Sequence, residues 1–181
     1  MKNCDFYKEF DGFVFRHIRW EDADAYYRDG FLNPDLESLR LTGSGTFSEA
    51  QVLDFFYACC QSSSRADFLL LAPDGRVVGE SVLNEYNPQE NGCNFRICIF
   101  SSEFWGKGLG TEMIRYTLEY GFAHWGLDRL TLEVFSFNPR AQRAYLRAGF
   151  RVIDTFPNEE GEGEILVMEL CRHEWKQRNA R

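Results

Sequence analysis

The chain has 181 residues, and its 44% hydrophobic content with 17 phenylalanines predicts one packed domain over residues 1–181 rather than a disordered segment. Its formal net charge of −8 argues against general nucleic-acid binding, which needs a basic surface. No apolar stretch approaches the length of a membrane span and residues 1–5 carry no signal-peptide pattern, so we expect no membrane partner and a cytoplasmic location.

The first half of the chain predicts strands alternating with short helices. Hydrophobic spacing and turn residues predict strands at 13–19, 67–72 and 76–84 and helices at 21–29 and 48–61. The region 30–46 between the two helices is predicted to be broken. Ser48 and Gln51 have the spacing of a capping box, which marks the start of the second helix. Turn residues at 73–75 then join the last two strands as a hairpin.

The second half continues this alternation with longer elements. Four strands are predicted at 94–100, 130–135, 151–156 and 164–171, and two helices at 109–125 and 139–148. Asn138 and Pro139 are typical of a helix start, and Gly149 lies just past the end of the same helix. About seven strands with covering helices predict the α+β class, with a mostly antiparallel sheet.

A glycine-rich turn at 104–111, directly before the helix 109–125, is the most informative segment of the chain. A helix start presents unpaired backbone N–H groups and the positive end of a dipole, which suit a phosphate group. Glycine lets a bulky anion approach the backbone, although it also occurs in such turns for geometric reasons alone. The predicted phosphate-binding residues, which include one lysine that adds a positive charge, are Gly106, Lys107, Gly108, Leu109, Gly110 and Thr111.

Two common phosphate-binding loops fit this turn poorly. The P-loop pattern Gly-x-x-x-x-Gly-Lys-Ser/Thr does not occur in the sequence. The dinucleotide fingerprint Gly-x-Gly-x-x-Gly begins at Gly106, but Thr111 stands where its third glycine belongs, and the connection 101–106 separates the turn from its strand. A nucleotide-binding oxidoreductase is therefore the second hypothesis.

Downstream, an asparagine opens a helix at Asn138, Tyr145 follows seven residues later, and Gly149 and Phe150 end the motif. This arrangement resembles the second half of the signature of the GNAT acyl-CoA-dependent N-acetyltransferases. Taken without the resemblance, Asn138 is equally well a helix cap, and Tyr145 a half-buried aromatic whose hydroxyl is bonded within the protein.

The glycine turn resembles the first half of the same signature, Gln/Arg-x-x-Gly-x-Gly/Ala. Gly108 and Gly110 occupy the glycine positions, whereas Trp105 stands where Gln or Arg is usual. This departure puts a side-chain contact to phosphate at position 105 in doubt, but not the backbone site. Within the family, the chain looks most like the branch of ribosomal-protein N-terminal acetyltransferases and spermidine acetyltransferases.

The resemblance implies a GNAT-like fold and an N-acetyltransferase that uses acetyl-CoA as co-substrate. The acceptor would be a primary amine, on a small molecule such as a polyamine or at a protein N-terminus, and it would attack the thioester directly. By the family pattern, Asn138 contacts the pantetheine arm and Tyr145 is the general acid. A non-catalytic acyl-CoA sensor is the alternative.

Other cofactor contacts are expected around these motifs. Backbone groups at the end of the strand 94–100, in Ile99, Phe100 and Ser101, would pair with the pantetheine amides as an added strand does. Arg143 would reach a phosphate or remain solvated.

The general base is less well determined, because several glutamates lie on predicted strands. Glu80, Glu85 and Glu133 are the candidates, and each is also an ordinary solvated strand residue. We favour Glu85 because strand ends border clefts more often than strand middles do. The acidic residues Glu159, Glu160, Glu162 and Glu164 form either a soluble turn or a rim that attracts a cationic acceptor.

The remaining composition bears on metals and partners. The six cysteines and three histidines lack zinc-ligand spacing, so we predict no metal and reduced thiols. We expect an amine as partner, no nucleic acid, and allow for a homodimer. No motif before residue 75 identifies the acceptor.

Overall fold

The computed structural model describes residues 6–159 and 161–180, so the predictions made for residues 1–5 and for Glu160 lie outside the described residues. The strands are β1 (Tyr7–Phe10), β2 (Phe13–His17), β3 (Ala66–Leu71), β4 (Val77–Asn87), β5 (Gly92–Ile99), β6 (Arg129–Phe135), β7 (Arg151–Pro157) and β8 (Glu164–Cys171). The helices are α1 (Ala23–Gly30), α2 (Leu36–Thr42), α3 (Glu49–Gln61), α4 (Leu109–Glu119), α5 (Pro139–Ala148) and α6 (Arg172–Asn179).

These strands form one eight-stranded sheet in the order β1-β2-β3-β4-β5-β6-β8-β7. Among the described strand pairs, only β5 and β6 run parallel, and the other pairs are antiparallel. The predicted α+β class with a mostly antiparallel sheet is confirmed. The additional strand is β1, a short edge strand whose side chains are exposed or half-buried, so its sequence carries little hydrophobic signal.

Helices cover both faces of the sheet. On one face, α4 and the helical turns that follow it pack closely because small residues face the sheet. The hydroxyls of Thr117 in α4 and Ser81 are 2.7 Å apart and buried, and a Cβ on Gly121, just after α4, would lie 3.2 Å from Leu83. On the other face, α1 and α3 place Tyr26 and Phe56 in a second apolar cluster with Leu69, Val77 and Phe100. The predicted capping box of α3 is present, with Ser48 and Gln51 bonded reciprocally.

The parallel pair determines where a ligand can enter. The paired residues of β5 and β6 are Gly92–Asn94 with Arg129–Thr131, and no pairing between these two strands follows in the described residues. Beyond Asn94 and Thr131 the strands diverge, and the sheet opens between them. The glycine turn, α4 and the start of α5 all lie at this opening.

Two helical segments differ from the sequence prediction. The helix predicted over 109–125 ends as an α-helix at Glu119 and continues as π-helical turns over Tyr120–Trp125. Helix α6 was not predicted, because apart from Trp175 it is polar and lacks an apolar period; Trp175 packs against Phe122, with ring centroids 5.5 Å apart. Across the described residues, no helix combines the length and apolarity needed to cross a bilayer.

Candidate active site

A cavity of about 770 Å³ occupies the opening between β5 and β6. This volume is typical of a small-molecule site. Its walls come from α2, β4, β5, the glycine turn, α4, the end of β6 and α5. The predicted site residues that line it are Glu85, Ile99, Phe100, Gly106, Gly108, Leu109, Gly110, Thr111, Asn138 and Tyr145.

The glycine turn forms a backbone surface that is open to the cavity. Gly106 and Gly108 have φ values of +75° and +80°, which glycine adopts without strain, and a Cβ on either would meet no atom within 4 Å. No side chain caps the start of α4, whose N-cap is Gly108. The N–H groups at this helix start can therefore donate to an anion.

Asn138 holds the start of α5 and also faces the cavity. Its side-chain oxygen accepts a hydrogen bond from the Ala141 N–H at 3.1 Å, so it is a genuine N-cap. Gln142 fixes the same turn to β6, since its Nε2 donates to the carbonyls of Phe135 and Ser136 at 2.9 and 3.0 Å. The side-chain nitrogen of Asn138 donates to no described residue, which leaves it for a ligand carbonyl.

Tyr145 is buried, with 7% of its surface exposed, and its ring packs against Phe95 and Phe150. Its hydroxyl makes no hydrogen bond to any residue within 6–159 or 161–180. The alternative interpretation, a hydroxyl bonded within the protein, therefore finds no partner among the described residues. Burial raises the pKa of Tyr145, so its hydroxyl keeps its proton at physiological pH.

Of the predicted cofactor contacts around these motifs, three lie away from the cavity lining. The Ser101 hydroxyl accepts from the Glu103 N–H at 3.3 Å, the Lys107 ammonium lies 5.0 Å from the centre of the Phe104 ring, and Arg143 is exposed. On α5 it is Arg140 and Arg147 that line the cavity instead.

Residues from the first half of the chain complete the site. The Ile99 carbonyl accepts a hydrogen bond from the Ser38 hydroxyl at 3.1 Å, so α2 is bonded to the strand edge. Asp35 caps α2, and hydrogen bonds from Ser102 lower the pKa of this carboxyl to about 2. Sequence reasoning missed Ser38 and Asp35, because nothing local links α2 to β5.

All three candidate bases line the cavity, in different environments. Glu85 is exposed and has a left-handed φ of +53°, at the irregularity where the β4–β5 register shifts. Such strain in a non-glycine residue is often found at functional sites. Glu133 is exposed as well. Glu80 is half-buried and accepts a hydrogen bond from the Tyr26 hydroxyl at 2.6 Å, and burial raises its pKa.

Solved structures of other proteins share this fold. A spermidine N-acetyltransferase from Vibrio cholerae, solved with CoA and spermine, has a TM-score of 0.80 at 18% identity, over 92% of this chain and 99% of that chain. A structure described as a putative acetyltransferase has a TM-score of 0.74 at 18% identity, over 99% and 93%. At these identities the likeness concerns the fold, which is that of N-acetyltransferases.

The family model of the acetyltransferase (GNAT) domain matches residues 13–151. The chain therefore belongs to the GNAT acetyltransferase family, as the two motifs predicted. The spermidine N(1)-acetyltransferase of Escherichia coli K12 is 37% identical over 93 residues, which are 51% of this chain and 45% of that protein. The chain thus spans about half the length of the curated relatives it matches.

Proposed function

We propose that residues 1–181 form one acetyltransferase domain that transfers an acetyl group from acetyl-CoA to a primary amine of a polyamine. One observation carries the proposal: the Tyr145 hydroxyl, which has no partner in the described part of the chain, shares a cavity with the open glycine turn. The turn suits the phosphates of the co-substrate, and the tyrosine suits a leaving thiolate. A sensor that only binds acyl-CoA does not require a proton donor there.

The proposed roles follow the order of the reaction. Glu85 accepts a proton from the ammonium group of the acceptor, directly or through one water. The neutral nitrogen then attacks the acetyl carbonyl carbon, and the carbon–sulfur bond breaks as the amide forms. Tyr145 donates its phenolic proton to the departing sulfur, and the second proton, which the nitrogen loses as it becomes an amide, passes through solvent and restores the phenol; Glu85 releases the ammonium proton to solvent. Asn138 orients the pantetheine arm with its side-chain nitrogen.

A cationic acceptor fits three carboxylates of the cavity wall. Glu80, Glu85 and Glu133 all line the cavity, and carboxylates attract protonated amines. Exposed carboxylates also come shortly before the lining residue Ile165 in the sequence: Glu159 and Glu162 in the β7–β8 loop, and Glu164 at the start of β8. The curated relatives are spermidine acetyltransferases, which supports the same substrate class.

The test is release of free thiol from acetyl-CoA in the presence of an amine panel. We expect spermidine and spermine to react faster than peptides with a free N-terminus, and their apparent affinity to weaken with salt, because salt screens exposed carboxylates. If peptide N-termini are acetylated faster than polyamines, the acceptor is a protein N-terminus rather than a polyamine. Tight acetyl-CoA binding without thiol release for any acceptor would favour the sensor.

NAD is the matched ligand control for the oxidoreductase hypothesis. A dinucleotide-binding fold needs a parallel sheet, whereas β5 and β6 are the only parallel pair among the described strands. We therefore expect acetyl-CoA to bind and NAD not to. Two further predictions are kept as part of the proposal: a homodimer, measured by sedimentation, and a cytoplasmic location, in keeping with the free thiols of Cys93, Cys98 and Cys171.

A further inference from the structure

An arginine and a tryptophan stack in the wall of the cavity. The guanidinium carbon of Arg140 lies 3.5 Å from the centroid of the Trp105 ring. Trp105 belongs to the glycine turn, just before Gly106, and Arg140 to the first turn of α5. Both residues line the cavity, so the stacked pair joins the glycine turn to α5 in the cavity wall.

Arg140 differs from the other stacked arginines in having no acidic partner. In the described part of the chain, each of the other arginines placed over an aromatic ring also forms an ion pair with a carboxylate; these are Arg40, Arg65, Arg76 and Arg115. The Arg140 guanidinium makes no ion pair or hydrogen bond to any described residue. Glu37, the carboxylate whose charge acts on Arg140, is already paired with Arg40 at 2.7 Å.

Stacking leaves the binding face of a guanidinium available. The indole contacts the flat face of the ion, whereas its N–H donors lie in the plane and point outward at the edge. That edge matches two oxygens of a phosphate, and the indole fixes its orientation before a ligand arrives. An unpaired, oriented arginine beside the glycine turn is therefore suited to a phosphate held by that turn.

We propose that Arg140, held on Trp105, is the side-chain ligand of the diphosphate of acyl-CoA in this chain. The inference rests on the proposed function, because it assigns a residue to the same co-substrate. It also gives the unusual Trp105 a role: where the family signature has a Gln or Arg at this position, the indole holds an arginine supplied by α5. Trp105 is a positioning residue, and Arg140 makes the contact.

The test measures the affinities of CoA, dephospho-CoA and pantetheine by calorimetry. CoA and dephospho-CoA carry the diphosphate, and pantetheine has no phosphate. Arg140→Ala should weaken CoA and dephospho-CoA by roughly 10- to 100-fold, the range of a lost charge-assisted hydrogen-bond pair, and leave pantetheine unchanged. Arg115→Ala is the matched control, because Arg115 also stacks on a ring, 4.1 Å from the centroid of Tyr116, but does not line the cavity; it should change none of the three affinities.

Variants of Arg140 and Trp105 distinguish the residue that contacts the diphosphate from the residue that positions it. Arg140→Lys keeps the charge but loses the planar fork, so we expect it to recover only part of the CoA affinity. Trp105→Leu should weaken CoA less than Arg140→Ala does, and it should add no further loss in the double variant. Thermal unfolding of each variant checks that the fold is kept.

The outcomes distinguish this inference from the proposed function. If wild-type protein fails to bind CoA at all, the proposed function fails and Arg140 loses its role with it. If the wild type binds CoA and Arg140→Ala binds it equally well, only the assignment of Arg140 is overturned. The assignment of Arg140 is also overturned if Arg140→Ala loses as much affinity for pantetheine as for CoA. It is overturned as well if the loss of affinity is seen with CoA but not with dephospho-CoA, since the contact would then be to the 3′-phosphate.

Discussion

The two sides of the cavity are built in different ways. The side formed by the glycine turn, α4 and α5 presents backbone N–H groups and helix starts, positioned by residues close together in sequence. The opposite side is made of side chains that converge from distant segments: Ser38 reaches the Ile99 carbonyl and Tyr26 reaches Glu80. The first side is suited to a cofactor common to a whole family, and the second can change its acceptor by changing single side chains.

Loss of the Tyr145 hydroxyl should have the largest effect, because it removes chemistry from the cofactor side without changing its shape. We expect Tyr145→Phe to lower kcat by about 100- to 10,000-fold, the usual contribution of a positioned acid. Affinity for acetyl-CoA and the melting temperature should change little, since the hydroxyl has no partner among the described residues. Single-turnover rates are the fair measurement, because slow product release can mask a chemical step. If the single-turnover rate of Tyr145→Phe lies within a few-fold of wild type, Tyr145 is not the general acid.

A side chain on the glycine turn should affect binding rather than chemistry. Gly108→Val places a branched side chain at φ +80°, in space now open to the cavity, and we expect CoA affinity to fall by at least about 100-fold. Gly75→Val is a matched control, because Gly75 has φ +84°, equally open space and a position in the distant β3–β4 turn. Both variants should lose similar stability. Equal CoA affinity in the two would place the phosphate site elsewhere.

The acceptor side is tested by its carboxylates. We expect Glu85→Gln to lower kcat by about 10- to 100-fold near neutral pH, and by less at high pH, where free amine is more abundant. Glu133→Gln is the matched variant: it too is exposed and lines the same cavity, and it should act mainly on KM for the amine. The reverse ranking, with Glu133→Gln losing kcat and Glu85→Gln near wild type, would reassign the base.

The same contrast explains what could be predicted from the sequence. Gly106, Gly108 and Asn138 could be recognised because their backbone geometry depends on residues beside them. Ser38 could not, since its partner Ile99 is far away in sequence and a serine in a short helix has no distinguishing pattern. Helix geometry does not separate Arg143 from the lining residues: it lies three residues after Arg140 and four before Arg147, on the same side of α5 as both, so its absence from the lining could not be predicted.

The smallest expected effect concerns Glu80, a carboxylate whose pKa in the folded protein is raised by burial. The Tyr26 hydroxyl and the Arg96 charge oppose that shift, Asp67 adds to it, and Arg65 lowers it slightly. A raised pKa means that Glu80 favours folding at pH values below its ordinary pKa, and that this contribution is lost as the pH rises through the raised value. At pH values above the ordinary pKa of Glu80, burial of its carboxyl group is therefore a net cost to stability.

Replacing Glu80 with a neutral residue should stabilise the fold only at pH values at which Glu80 is ionised. We expect Glu80→Gln to melt above wild type at pH 7, on the order of 2–4 °C, which is about 1 kcal/mol for a domain of this size. The difference should vanish towards pH 4, where wild-type Glu80 is protonated. Tyr26→Phe serves as the opposite control, since it removes the hydrogen-bond donor and should lower the melting temperature most at neutral pH. A Glu80→Gln variant less stable than wild type by the same amount at every pH would show instead that Glu80 contributes packing or a hydrogen bond, and that its charge costs nothing.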